Sequence, residues 1–159
     1  MARNYLIARQ FSLRDRFTIT DEGGVPQFAV QGRFTFGLQM SMRDPVGTEV
    51  ATVRRAAFSR RYEIVAGGHP ATLRSVGLFG RRFEIDSAAG HLTAAGSFTG
   101  RQYAIARGAT TVAAVTQRRG LRERFAAEVA DEEDPVLMLA LIVTIETIRD
   151  RRREAAASH

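Results

Sequence analysis

The C-terminal part of the chain holds a run of ten residues, Val136 to Ile145, in which every side chain except Thr144 is apolar. Asp134 is a favourable N-cap and Pro135 suits the first helical position, so the run is predicted to lie in a helix over residues 135–153. A helix that is apolar all round has no polar stripe to present to water. It must therefore be buried on all sides.

Two environments could bury such a helix. A bilayer requires about 20 apolar residues, whereas this run is half as long and is followed directly by Glu146. The alternative is the interior of the protein's own fold. We therefore expect this helix to form part of the core and not a membrane anchor.

The rest of the chain has the pattern of short strands separated by turn residues such as DEGG at 21–24 and DPVG at 44–47. Connections this short favour antiparallel neighbours, because a parallel crossover needs a dozen or more residues. The predicted strands span residues 4–9, 14–20, 26–32, 37–43, 49–55, 60–66, 70–77, 81–86, 91–96, 101–106, 111–117 and 123–130.

An aromatic residue followed two positions later by isoleucine recurs in four of these strands. Residues two apart share one face of a strand, so each pair is expected to point into a common interior. The glutamates between two of the pairs, Glu63 and Glu84, should face solvent and are not expected to act as a catalytic pair. The four pairs are Phe17 and Ile19, Tyr62 and Ile64, Phe83 and Ile85, and Tyr103 and Ile105.

A closed barrel accommodates both features, since closure removes exposed strand edges and supplies apolar walls around the helix. The predicted fold is mainly β, a closed twelve-stranded antiparallel barrel around a central hydrophobic C-terminal α-helix. With 159 residues the chain suits one domain. Residues 1–159 are expected to form it.

The chain resembles the LURP-one-related family of the tubby C-terminal-like superfamily. The resemblance lies in the opening YLIARQFSLRDRFTITDEGG, the RRYEIV and RRFEID strands and the final LMLALIVTIE. It implies a twelve-stranded barrel around a central helix and spans nearly the whole chain. Relatives in that superfamily include phosphoinositide binders and phospholipid scramblases, so the resemblance also implies lipid recognition as one candidate function.

The positive charge is carried by 23 arginines and no lysine, which gives a net charge of +6. A GC-rich genome would produce this bias without any functional reason. Phosphate recognition would also favour arginine, because the guanidinium fork binds phosphate in a bidentate manner. Only the positions of the arginines can separate these explanations.

In an up-and-down barrel, alternate hairpins open at the same end. This sorts most arginines to one end, together with the end of the helix at Arg149 to Arg153, whereas acidic residues such as Asp131 to Asp134 collect at the other. Helix electrostatics and solubility explain part of this sorting. An anion-binding face is the functional explanation, and its predicted residues are Arg54, Arg55, Arg60, Arg61, Arg81, Arg82, Arg118 and Arg119.

Anionic phospholipid headgroups are the first candidate ligand, since each basic residue near an anionic bilayer contributes about 1 kcal/mol. Phe58 lies in the connection between Arg55 and Arg60 and could insert into a membrane, although folding back onto the barrel wall is the expected outcome. Nucleic acid is disfavoured, because no exposed aromatic ladder or groove-binding helix is evident. The alternative function is a protein-interaction scaffold without lipid binding.

Catalytic signals are weak. The absence of cysteine excludes disulfides, thiolate metal sites and cysteine nucleophiles, and His69, His91 and His159 do not have metal-ligand spacing. No cofactor or metal is expected, and the protein is not expected to be an enzyme. Glu146 should need a partner in the core, for which a barrel arginine is expected.

The start MARNYLIARQ lacks a signal peptide pattern, so a cytoplasmic protein is expected, with peripheral association at the inner face of the membrane as an extension.

Overall fold

The computed structural model describes residues 2–9, 16–33, 37–56, 58–77, 82–97, 102–118 and 124–157. Its strands and helix are β1 (Ala2–Arg9), β2 (Arg16–Asp21), β3 (Pro26–Arg33), β4 (Gly37–Arg43), β5 (Glu49–Ala56), β6 (Arg61–Ala66), β7 (His69–Val76), β8 (Arg82–Ser87), β9 (Gly90–Ser97), β10 (Gln102–Arg107), β11 (Thr110–Gln117), β12 (Arg124–Ala130) and α1 (Pro135–Ala157). Every predicted strand coincides with an observed one. Residues 14, 15, 81, 101 and 123, which were predicted to lie in strands, are outside the described residues.

Each strand pairs antiparallel with its neighbours in sequence, and β1 pairs with β12 to close the barrel. This confirms the predicted fold class. Alternation along β6 buries Tyr62, Ile64 and Ala66 and turns the intervening side chains outward. The β6–β7 connection is a two-residue turn of Gly67 and Gly68, both with positive φ (58° and 81°). Such turns match the twist of the two strands that they join.

The helix α1 lies inside the barrel. Its residues from Met138 to Arg149 are buried on every side, and the surrounding sheet is closed. Eight strands leave an interior that side chains alone can fill, so twelve leave room for a helix about 10–12 Å across. Within the described residues, no helix combines the length and hydrophobicity needed to span a bilayer.

Asp134 caps the helix as predicted, because its Oδ1 accepts a hydrogen bond from the Val136 backbone N–H at 3.0 Å. The helix ends at Ala157 and not at residue 153. Alanine is the strongest helix former, so the alanines at 155–157 explain this extension beyond the barrel core.

The topology defines two ends of the barrel. One end, which we call the basic end, is where the last turns of α1 emerge. It holds the β1–β2, β3–β4, β5–β6, β7–β8, β9–β10 and β11–β12 connections. The acidic end holds the other connections and the start of α1, and there the carboxylates of Asp21 and Asp44 each accept backbone N–H bonds within their own turns.

The polar groups of the buried helix all find partners. Thr144 and Thr147 donate to the backbone oxygens of Ala140 and Val143 at 2.7 and 2.8 Å. Glu146 is only 2% exposed, so its carboxylate needs partners within the barrel.

The partners of Glu146 differ from the expected barrel arginine. Its Oε1 accepts hydrogen bonds from the Tyr103 hydroxyl of β10 and from Arg149 Nη1 of the same helix, both at 2.9 Å. Arg149 also lies over the Tyr103 ring, 5.6 Å from its centroid. Burial, and then the charge and hydrogen bond of Glu146, raise the pKa of Tyr103 well above its usual value, whereas Arg149 acts to lower it. These contacts connect the helix to one particular strand.

Candidate functional site

A basic groove opens at the basic end, between strands β5, β6 and β7 and the last turns of α1. This inner groove has a volume of about 550 Å³ and is lined by four arginines, Arg55, Arg60, Arg151 and Arg152, with Ser59, Tyr62, Ser75 and the apolar Val76 and Ile148 among its other residues. Its described lining contains no aspartate or glutamate. The β5–β6 hairpin contributes Arg55 and Arg60, and α1 contributes the other two arginines. The groove therefore exists only because the helix emerges here.

Aromatic rings hold two of these guanidinium groups in place. Arg55 lies over the ring of Tyr62 at 5.5 Å and Arg152 over the ring of Phe83 at 5.7 Å. Stacking on an aromatic face is favourable for a cation and fixes its plane. Burial lowers the pKa of Arg152 from its usual value, and the nearby Tyr62 acts in the opposite direction.

The hydroxyl of Tyr62 is close to three of the cations. Burial raises its pKa, whereas the charges of Arg55, Arg152 and Arg151 act to lower it. Tyr62 is only 6% exposed. Tyr62 therefore remains a neutral hydrogen-bonding group at the floor of a positively charged groove.

A second groove lies beside the first, on the outer wall of the barrel. This outer groove has a volume of about 500 Å³, and Arg55 and Ser59 line both grooves. The other arginines of the outer groove are Arg33, Arg54 and Arg61, and Glu63 lies among them. When the Gln39 amide is oriented with its oxygen towards Arg54, this oxygen accepts hydrogen bonds from Arg54 Nε at 3.2 Å and from Arg54 Nη2 at 3.0 Å.

The arginines of the acidic end and those of the grooves differ in whether a carboxylate neutralises them. At the acidic end, three arginines pair with carboxylates: Arg3 with Asp131 at 4.0 Å, Arg43 with Glu49 at 3.7 Å, and Arg107 with Glu133 at 2.6 Å. In the grooves, five arginines form no ion pair with any residue that the structure describes. These are Arg33, Arg54, Arg55, Arg60 and Arg61.

The predicted site residues do not all lie together. Arg54 and Arg55 are neighbours on β5, and Arg60 directly precedes Arg61 at the start of β6. Arg54 and Arg61 line the outer groove alone, whereas Arg55 and Arg60 line the inner groove. Arg82 begins β8 and is 4.0 Å from Glu84. Arg118 follows β11, across the barrel from β5. Arg81 and Arg119 lie outside the described residues.

Two arginines that the charge sorting assigned to the basic end are turned inward. Arg9 pairs with Asp150 at 2.8 Å, lies over Phe17 at 5.0 Å, and has a side chain that is only 5% exposed. Arg149 pairs with Glu146 inside the barrel. Both side chains serve the core and do not contribute to the exposed basic surface.

The expectation for Phe58 was wrong. Its side chain is fully exposed, with a relative accessibility of 101%, and does not fold back onto the barrel wall. Its backbone is in the left-handed region, with φ of 63°, which β-branched and bulky side chains seldom adopt.

The fold and the groove define the class of protein: a closed antiparallel barrel that encloses its own C-terminal helix and presents basic grooves where that helix emerges. The chain belongs to the LURP-one-related family, whose sequence profile matches residues 4–146. No curated protein matches the chain. The fold is similar to the X-ray structure of a protein from Arabidopsis thaliana, with a TM-score of 0.69, 21% identity, and coverage of 92% of this chain and 91% of that one.

The prediction of site residues omitted several groups that the structure places in the grooves. Helix electrostatics accounts for Arg151 and Arg152 in the sequence, and strand alternation assigns Tyr62 to the core, yet all three line the inner groove. The sequence contains a signal for the two arginines, because a helix that enters at the acidic end must emerge at the basic end, where the predicted site arginines collect. No sequence signal marks Tyr62 as a groove residue, because its alternation with Ile64 assigns it to the core.

Proposed function

We propose that this protein is a non-enzymatic binding module that docks peripherally on anionic phospholipid membranes through its basic end. The proposal is carried by one observation: four arginines converge in the inner groove, and its described lining contains no carboxylate. Like charges held together repel each other. An anion that enters the groove relieves this repulsion, so the site favours anionic ligands.

The residue types in the groove suit a phosphate headgroup. Guanidinium groups bind phosphate oxygens in pairs, and the hydroxyls of Ser59, Tyr62 and Ser75 can donate further hydrogen bonds. The grooves lie at one end of the barrel, beside the exposed Arg61, so a flat anionic surface can reach several cations at once. The cytoplasmic leaflet carries such lipids, and the inner face of the membrane is the proposed location.

The proposal predicts a strong, salt-sensitive effect of charge reversal at Arg60 and Arg61. Each basic residue near an anionic surface contributes about 1 kcal/mol, so Arg60→Glu plus Arg61→Glu should weaken binding about 30-fold or more. Arg61 lies opposite Arg74 on the neighbouring strand, so a glutamate there does not threaten the fold. Co-sedimentation with vesicles of phosphatidylcholine, with and without phosphatidylserine, measures the effect.

The matched control carries the same change of net charge at the acidic end, through Arg3→Glu plus Arg43→Glu. Both side chains are more than half exposed, so their ion pairs contribute little to stability. This variant should retain most of the vesicle binding. Equal binding of the wild type to neutral and anionic vesicles, or equal losses in the two variants, would contradict the proposal, and the alternative of a protein-interaction scaffold would then be favoured.

A further inference from the structure

We infer that Phe58 is a membrane-inserting anchor, which enters the interfacial region of an anionic bilayer while the neighbouring arginines bind its headgroups. This inference rests on the proposed function and adds a second, apolar contact to it. The occupant of the surface is the bilayer itself, and the contact sets which end of the barrel faces the membrane.

The hairpin holds Phe58 away from the barrel. A hydrogen bond from Ser59 N–H to Ala56 O, 3.1 Å long, closes a four-residue turn in which Phe58 takes the third position. Positive φ at this position is the usual place for glycine or asparagine, whereas here it carries a large aromatic ring. The Ser59 hydroxyl accepts the Arg61 backbone N–H at 3.1 Å, which stiffens the same turn.

The surroundings of Phe58 distinguish it from other exposed apolar residues. A single exposed apolar side chain is ordinary on a protein surface. Phe58, however, projects from the hairpin that supplies Arg55, Arg60 and Arg61 to the grooves. Of the other exposed large apolar side chains described, Val25 and Val46 lie in turns at the acidic end.

The combination of an aromatic ring and flanking cations fits an anionic bilayer. Aromatic side chains bury their apolar surface at the boundary between headgroups and acyl chains, while cations beside them remain at headgroup level. A soluble acidic partner would need a pocket shaped to receive the ring, whereas the interfacial region of a bilayer accepts an aromatic side chain without one. The charge and the ring together therefore favour the bilayer.

The absence of tryptophan from the chain allows a direct test. Phe58→Trp introduces a single tryptophan, which can be excited where the three tyrosines do not absorb. With vesicles that contain phosphatidylserine, the emission of this tryptophan should shift to the blue. Lipids brominated near the headgroup end of the acyl chain should quench it more strongly than lipids brominated near the bilayer centre.

A matched control places the tryptophan at the acidic end. Val46→Trp substitutes a side chain that is 88% exposed at a hairpin tip, and its emission should not shift on vesicle binding. A second variant gives an independent readout. Phe58→Asn suits the left-handed backbone and should leave the fold intact while weakening co-sedimentation with anionic vesicles about tenfold.

The outcomes separate this inference from the proposed function. A blue shift at position 58 alone, with the loss of binding in Phe58→Asn, supports insertion. Co-sedimentation without a shift, with Phe58→Asn binding as the wild type does, would overturn insertion and leave headgroup binding by the arginines standing. Absence of vesicle binding by the wild type would overturn both.

Discussion

Replacement of Arg149 by alanine should destabilise the protein by about 3–5 kcal/mol. The substitution leaves the Glu146 carboxylate inside the barrel without the guanidinium group that lies 2.9 Å away. Glu146 is 2% exposed, so its charge remains away from bulk water, and the Tyr103 hydroxyl supplies only one hydrogen bond. Equilibrium unfolding in urea, followed by circular dichroism, measures the loss.

Two further variants show whether the cost comes from the buried charge. Arg151→Ala removes an exposed arginine from the same helix and should change the free energy of unfolding by no more than about 0.5 kcal/mol. Glu146→Gln plus Arg149→Met removes both charges and leaves an acceptor for Tyr103, so it should recover much of the stability lost in Arg149→Ala. A double variant no more stable than Arg149→Ala would count against this explanation.

The second large effect is expected at Leu141, which is completely buried in the middle of α1. Leu141→Ala should cost about 2–5 kcal/mol, because the removed methyl groups leave a cavity in addition to the lost burial. The upper half of that range is expected. A barrel closed by hydrogen bonds around its circumference cannot contract easily around a smaller helix.

Val65 provides the comparison for this prediction. It lies on the outer face of β6 and is 43% exposed, so Val65→Ala should cost less than about 1 kcal/mol. Thermal unfolding of the two variants should therefore differ clearly. Similar melting temperatures for Leu141→Ala and Val65→Ala would show that α1 is not enclosed as described.

Most of the fold follows from local patterns in the sequence. The strands alternate with period two, as in the buried Tyr62 and Ile64 and the exposed Arg61 and Glu63, and the turns are marked by glycine and aspartate. The apolar run in α1 requires burial on all sides, which a closed barrel provides. These signals are local, or follow from the need to bury apolar surface, so no tertiary contact had to be known.

The partner of Glu146 could not be predicted, because the rotation of α1 within the barrel has no local signal. A helix that is apolar on every side offers no stripe to show which face meets which strand. The contact between Glu146 and Tyr103, 43 residues apart, depends on how the whole barrel closes around the helix.

The basic end was predictable in its location but not in its details. Strand parity assigns the arginines to an end, whereas a long side chain at the rim can turn outward, as Arg60 does, or inward, as Arg9 does towards Asp150. The expectation for Phe58 is wrong for a related reason. An aromatic residue normally indicates burial, and the positive φ that exposes it here follows from the turn and not from the residue type.

The path of α1 through the barrel brings its last turns beside the β5–β6 hairpin, and the position of the basic grooves depends on this path. Because the chain contains no cysteine, spin labels can be attached in pairs at introduced cysteines, and pulsed electron paramagnetic resonance then measures the distance between them. Arg60→Cys with Ala155→Cys should give a short distance, since both residues line the inner groove. Val46→Cys with Ala155→Cys should give about 30 Å, the rise of the helix between the two ends. A label at position 155 that is closer to position 46 than to position 60 would contradict this path of α1, and with it the basic docking face.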